Sequence, residues 1–133
     1  MQLREFIQQA EQRQWVAHVD TPVEPDESMA RLMYRAGDQI LFFRSRWNGY
    51  RIISGVCASR RYFALAFGID ERALCAHLVK ALQEPAVPPV VTSAPCQEVI
   101  EDEVNLEALP IVRHTPLDGG PYVTAGIVLV YDP

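Results

Sequence analysis

The sequence has little of what would place a protein in a membrane or on nucleic acid. No apolar stretch approaches the roughly 20 residues that a membrane-spanning helix needs, and the first residues lack the apolar block of a signal peptide. The longest basic run is Arg60-Arg61, and 17 acidic against 12 basic residues give a formal net charge of −5. Because such a surface repels phosphate backbones, we predict a cytosolic protein without a membrane span or a nucleic-acid partner.

Cysteine and histidine are also scarce, and their spacing argues against a metal site. Cys57, Cys75 and Cys96 are odd in number and contain no C-x-x-C pair. His18 and His77 have no second histidine two or four residues away. We therefore predict free thiols in a reducing compartment and no bound metal.

The remaining composition is that of one globular domain, since 133 residues with 49% hydrophobic content can bury an unaided core. Apolar residues at helical spacing predict helices at the N-terminus, before Gly37, before Gly68 and behind Asp70. Alternating residues predict a strand over 15–20 and a hairpin of 39–44 with 50–57. Asn48-Gly49 marks its turn, although the flanking residues allow a longer loop.

Three prolines at 85, 88 and 89 predict an extended linker over 85–93. Strands are expected at 96–100 and, most clearly, at 122–131. The predicted fold is α+β, with N-terminal helices and a mixed or antiparallel sheet. Within one domain, 1–133, we expect a helix-rich part with the hairpin (1–84), the linker (85–93) and a strand-rich part (94–133).

The predicted last strand is followed at once by Asp132-Pro133, which is a turn signal. A strand rich in valine and isoleucine needs hydrogen-bonding partners on both sides. We therefore expect a further structural element beyond this turn.

The last third of the chain carries an ordered set of motifs. It contains Ala94-Pro95-Cys96-Gln97-Glu98-Val99, then Val104-Asn105-Leu106, Leu109-Pro110-Ile111 and His114, and then Asp118-Gly119-Gly120-Pro121-Tyr122-Val123-Thr124-Ala125-Gly126. Together these resemble the UbiD family of decarboxylases. Leu3-Arg4-Glu5-Phe6 and Ala58-Ser59-Arg60-Arg61 resemble its earlier part, whereas the basic stretch 42–48 departs from the usual pattern.

The resemblance implies a carboxy-lyase that acts on aromatic or α,β-unsaturated carboxylic acids with prenylated flavin mononucleotide (FMN) and a divalent metal, Mn. The family's glutamate-arginine-glutamate set and its Asn, His and Glu metal ligands correspond to positions after Pro133. We therefore assign no catalytic and no metal-binding residue in this chain. Thr124 and Gly126, in the last strand, match positions beside the flavin and are the candidate cofactor-binding residues. This strand is expected to lead into a flavin-binding, split-barrel-like domain, which is absent here together with the C-terminal domain.

The resemblance further implies a scaffolding or interdomain role and no activity for the chain alone. Expected partners are the remainder of the decarboxylase or a neighbouring subunit in a homo-oligomer. The alternative is a standalone small subunit or adaptor without catalytic activity. A third hypothesis is a small hydrolase that uses His114.

Several residues carry two interpretations. His114 near Asp118 is a general base or a histidine whose ring nitrogens bond to backbone groups of its loop. Gly119-Gly120 is a phosphate cradle or a tight turn. Arg60-Arg61 lies at a helix start, where cations are disfavoured. The pair forms an interdomain or subunit salt bridge, or it binds an anion. Trp47 and Tyr50 flank the hairpin turn as a candidate exposed aromatic contact.

Overall fold

The computed structural model describes residues 1–123 and 126, which form four α-helices and one three-stranded sheet. In chain order these are α1 (Leu3–Gln12), β1 (Val16–Val19), α2 (Glu27–Ala36), β2 (Ile40–Trp47), β3 (Tyr50–Ser54), α3 (Arg60–Phe67) and α4 (Leu74–Gln83). Short 3-10 turns lie at Glu71–Ala73, Pro95–Gln97 and Leu106–Ala108. The predicted α+β class is confirmed.

The sheet has the strand order β1-β2-β3 and is mixed. β1 runs parallel to β2, with Val16 opposite Ile40, so α2 is the crossover helix of a βαβ unit. β2 and β3 are antiparallel, with Phe43 opposite Ile52. A sheet that contains both kinds of pairing agrees with the sequence prediction.

The hairpin turn between β2 and β3 is only two residues long. Asn48 and Gly49 both have positive φ, at 48° and 84°, as a tight hairpin turn requires. The longer loop that the flanking residues allowed does not form, because Trp47 still pairs with Tyr50. The extra residues of β2 are absorbed by an irregularity in the pairing between Phe43 and Trp47.

Helix α2 begins and ends where its capping residues predict. The Asp26 carboxylate accepts hydrogen bonds from the backbone N–H of Ser28, at 2.8 Å, and from the Ser28 hydroxyl. These bonds lower the pKa of Asp26, the hydroxyl bond contributing most. Gly37, at φ 61°, ends the helix.

The core consists of two apolar clusters, one on each face of the sheet. Alternate strand residues point to opposite faces, so Ile40 packs with Phe6 and Ala10 of α1 and Tyr62 of α3. On the other face, which we call the α2 face, four buried residues pack together: Met29 of α2 with Leu41, Phe43 and Ile52. The sheet is thereby covered by α1 and α3 on one side and by α2 on the other.

Beyond α4 the described chain is largely extended and exposed. The strand expected at 96–100 is wrong: Pro95 opens a 3-10 turn through Gln97, and Val99 and Ile100 are exposed. Alternation alone does not make a strand where no neighbouring strand supplies hydrogen bonds. The strand expected at 122–131 falls mainly outside the described residues. No helix in the described part of the chain has the length and apolar character to cross a membrane.

Candidate functional site

The segment with the family-like motifs returns to the α2 face of the sheet. Val112 packs against the buried cluster there, and the backbone N–H of Arg113 donates to the Pro25 carbonyl at 3.1 Å. The side-chain amide of Asn48 donates to the Ala108 carbonyl at 3.4 Å. Pro25 follows β1 and Asn48 follows β2, so residues 108–113 lie at the carboxyl ends of the two parallel strands.

Residues 113–118, which we call the 113–118 loop, are closed by two charged side chains. The Asp118 carboxylate accepts from the backbone N–H groups of Thr115, at 2.9 Å, and His114, at 3.2 Å, and from the Thr115 hydroxyl at 3.2 Å. The Arg113 guanidinium donates to the carbonyls of Pro116, at 2.6 Å, and Asp118, at 3.0 Å. Each end of the loop is therefore bonded to the other.

These bonds decide between the two interpretations of His114. The backbone N–H of Thr115 does most to lower the pKa of Asp118, with smaller effects from the Thr115 hydroxyl and the His114 N–H. Asp118 thus meets the backbone of His114 rather than its ring. The contacts involve only the backbone of His114 and give no support to a His–Asp general-base pair.

After the loop, the backbone bends at Gly119-Gly120. A Cβ on Gly119 would lie 3.2 Å from the Tyr122 hydroxyl, at the end of an exposed side chain. Thr124 lies outside the described residues. Gly126 is exposed, and a Cβ there would lie 3.3 Å from Val123 Cγ1.

Of the two candidate cofactor-binding residues, only Gly126 is described, and its backbone is accessible to solvent. In the residues that the structure describes, no three His, Cys, Asp or Glu side chains gather as a metal-binding group. His18 pairs with Glu11 at 3.3 Å, and His77 packs on Phe67 with a centroid distance of 4.9 Å.

Arg60 and Arg61 make contacts within the domain. Arg61 lies 3.6 Å from the Asp38 carboxylate and 4.9 Å above the Trp15 ring. Arg60 donates to Cys75 Sγ at 3.3 Å, which raises the Arg60 pKa. The salt bridge of Arg61 is therefore within the domain, whereas the sequence predicted an interdomain or subunit bridge. The groove beside Arg60 is also lined by Asp70, Glu71 and Arg72, so two carboxylates balance its two cations and the lining shows no preference for an anion.

The aromatic pair at the hairpin is divided by the fold. The Trp47 indole N–H donates to the Glu24 carboxylate at 2.9 Å, and its ring is half-buried against the α2-face cluster. Tyr50 is exposed beside α1. Of the two, only Tyr50 remains available as a surface contact.

Sequence reasoning missed Arg113, which the structure makes the second half of the loop closure. The signal was present, because Arg113, Thr115 and Asp118 flank a proline within six residues. Thr and Asp side chains commonly bond to nearby backbone groups in such turns. The docking of Val112 left no comparable signal, since a single apolar residue does not specify which face it covers.

Two family models match consecutive parts of the chain. The model described as the 3-octaprenyl-4-hydroxybenzoate carboxy-lyase N-terminal domain matches residues 7–82. The model described as the Rift-related domain of the same carboxy-lyase matches residues 89–133. Ala108 and the 113–118 loop therefore fall in the second match, while their partners Asn48 and Pro25 fall in the first.

Individual proteins of this family are also similar to the chain. The anhydromevalonate phosphate decarboxylase of Methanosarcina mazei is 31% identical over 129 residues, which are 97% of this chain and 30% of that protein. The UbiD-class enzyme HmfF from Pelotomaculum thermopropionicum, solved with FMN, is 27% identical, with a TM-score of 0.79, over 90% of this chain and 28% of the other. An evolved dimeric form of HmfF, solved with prenylated FMN, matches with the same identity and TM-score over 90% of this chain and 29% of that one.

The chain thus spans under a third of the length of these relatives. Over that span, the resemblance of the motifs, the two family matches and the likeness of fold agree. The chain belongs to the UbiD family of carboxy-lyases.

Proposed function

We propose that this chain is the N-terminal part of a prenylated-FMN-dependent decarboxylase of aromatic or α,β-unsaturated carboxylic acids. The observation that carries the proposal is the pair of consecutive family matches over 7–82 and 89–133. The flavin is supported by the FMN and prenylated FMN complexes of HmfF. An aromatic acid is supported by the hydroxybenzoate in the family description.

Within that enzyme, we assign the chain a scaffolding role that brings the start of the flavin-binding region onto the α2 face. When bound, prenylated FMN supplies an electrophilic centre that accepts electrons as the carboxylate leaves. This chain would contribute Thr124 and Gly126 beside the cofactor. The groups that move protons and hold Mn would come from the rest of the enzyme, so the chain alone is proposed to be inactive.

The surface of α4 supports a role in contacting other parts of an enzyme. Leu78, Val79 and Leu82 are all exposed, and Leu82 retains 83% of its accessible surface. Phe67 at the end of α3 is also exposed. Exposed apolar side chains grouped on neighbouring elements are typical of surfaces that another protein surface covers. We propose that the covering surface is the remainder of the decarboxylase or a neighbouring subunit.

The domain division proposed is a helix-rich unit over 1–84, a linker over 85–93 and a second unit from 94 onward. A homo-oligomeric enzyme is proposed with it, and the dimeric form of HmfF supports that choice. A cytosolic location is also part of the proposal. The exposed free thiols of Cys57 and Cys75 are in keeping with a reducing compartment.

The test compares three samples supplied with prenylated FMN: this chain alone, HmfF lacking its matching N-terminal region, and HmfF in which this chain replaces that region. Flavin retention is followed by visible absorption, and CO2 release is measured with hydroxybenzoates and with α,β-unsaturated acids. We expect flavin retention and CO2 release only in the third sample. CO2 release by the chain alone would contradict the assigned role. A third sample that retains no more flavin than the second would favour a separate adaptor.

A further inference from the structure

We propose that Arg113 and Asp118 are positioning residues that fix the direction in which the chain enters the flavin site. This inference rests on the proposed function. It adds a specific task for two side chains that lie outside the candidate cofactor-binding pair. Thr124 follows Asp118 by only six residues, so the orientation of the 113–118 loop constrains where the segment after it can go.

The 113–118 loop is closed on itself. The Asp118 carboxylate holds the N–H groups at the start of the loop, while the Arg113 guanidinium holds two carbonyls at its end. Bonds in which one partner is charged are shorter and stronger than neutral ones. Closure from both ends leaves the backbone between them little freedom to change direction.

The closed loop is also attached to the folded domain. The N–H of Arg113 bonds to Pro25, and Val112, one residue earlier, packs into the α2-face cluster. Asn48 holds the same segment five residues before the loop. The loop is thus oriented by the βαβ unit rather than by its own bonds alone.

The segment that leaves the loop is short. Only five residues separate Asp118 from Thr124, so the direction set at Asp118 limits where the residues before Thr124 can lie. Groups that bind a cofactor must be held within about 0.5 Å of their working position, which gives such an attachment a function.

The test uses the HmfF chimera that carries this chain, with FMN as the titrant. Asp118→Asn keeps the shape of the side chain but removes one acceptor and the charge, and Arg113→Lys keeps the charge but loses the fork that reaches two carbonyls. Asp102→Asn is the matched control, because Asp102 is exposed and its substitution removes the same charge. Asp118→Asn should raise the FMN Kd roughly tenfold, Arg113→Lys by less, and Asp102→Asn not at all.

Amide hydrogen exchange in the 133-residue chain supplies the second measurement. Exchange at the His114 and Thr115 amides should accelerate in Asp118→Asn while the urea midpoint of the domain stays unchanged. Accelerated exchange with an unaltered FMN Kd would overturn the positioning role and leave the proposed function intact. If the chimera with the unaltered chain binds no FMN, the proposed function itself fails, and this inference fails with it.

Discussion

Replacing Tyr62 with Phe tests whether the α1–α3 side of the core is organised around one hydroxyl group. Tyr62 is 1% exposed and lies between Phe6, at a ring-centroid distance of 6.1 Å, and Trp15, at 5.4 Å. Its hydroxyl donates to the Asp38 carbonyl and accepts from the Arg61 guanidinium at 3.2 Å. The substitution keeps the ring and its packing but removes both hydrogen bonds.

The expected loss follows from what each partner retains. A hydrogen bond in a folded protein contributes about 1 kcal/mol net, and leaving a partly buried carbonyl without its donor raises that cost. Arg61 keeps its contact with Asp38 and its position over Trp15. We therefore expect Tyr62→Phe to lower the free energy of unfolding by about 1 to 1.5 kcal/mol.

The assay is urea unfolding followed by the fluorescence of Trp15 and Trp47. A loss of stability without a change in the unfolded state lowers the midpoint and leaves the slope m unchanged. Tyr34→Phe is the control, because Tyr34 is 89% exposed and the same atom is removed; its effect should stay within about 0.5 kcal/mol. Equal effects of the two substitutions would refute the assignment of Tyr62 as a buried hydrogen-bonding centre.

Three further outcomes are expected. Asp26→Ala should lower the urea midpoint by removing the N-cap of α2, and Asp26→Asn, which keeps an acceptor oxygen, should lower it less. Gly55→Ala should cost about 2 kcal/mol or more, because Gly55 has φ 82° and its added Cβ would lie 2.7 Å from a backbone oxygen; Gly120→Ala, with open space around it, should change little. The Asp118 pKa is lowered from 3.8, chiefly by the Thr115 N–H, so its contribution is complete above pH 3.8 and is lost as pH falls through the folded pKa. Amide exchange in the loop, corrected for intrinsic rates, should therefore quicken on acidification in the unaltered chain but much less in Asp118→Asn.

The N-terminal part of the fold was open to prediction because its local signals agree with one another. The periodicity of α1, the capping residues of α2 and the Asn48-Gly49 turn each specify a structure through bonds to near neighbours in the chain. The sheet class followed from the same segments. What the pattern could not supply was the length of β2, since the irregularity beyond Phe43 depends on pairing with β3.

The later part was harder because its structure depends on distant contacts. Val99 and Ile100 favour a strand by residue type, but the described chain offers them no partner strand and leaves them exposed. Arg113 was overlooked because its partners are backbone carbonyls, which no residue type reveals. Its bond to Pro25 joins positions far apart in sequence and could be recognised only from the fold.

The location of that bond bears on how the βαβ unit is used. Open α/β sheets generally bind their ligands at the carboxyl ends of parallel strands. Here that end of β1 and β2 is occupied by the chain itself, through Pro25, Asn48 and the docked Val112. Residues 108–113 therefore lie where a ligand of such a sheet would otherwise bind. The βαβ unit is therefore better suited to anchoring the segment that continues toward the flavin than to binding a ligand, which is the physical basis for assigning this chain a scaffolding role.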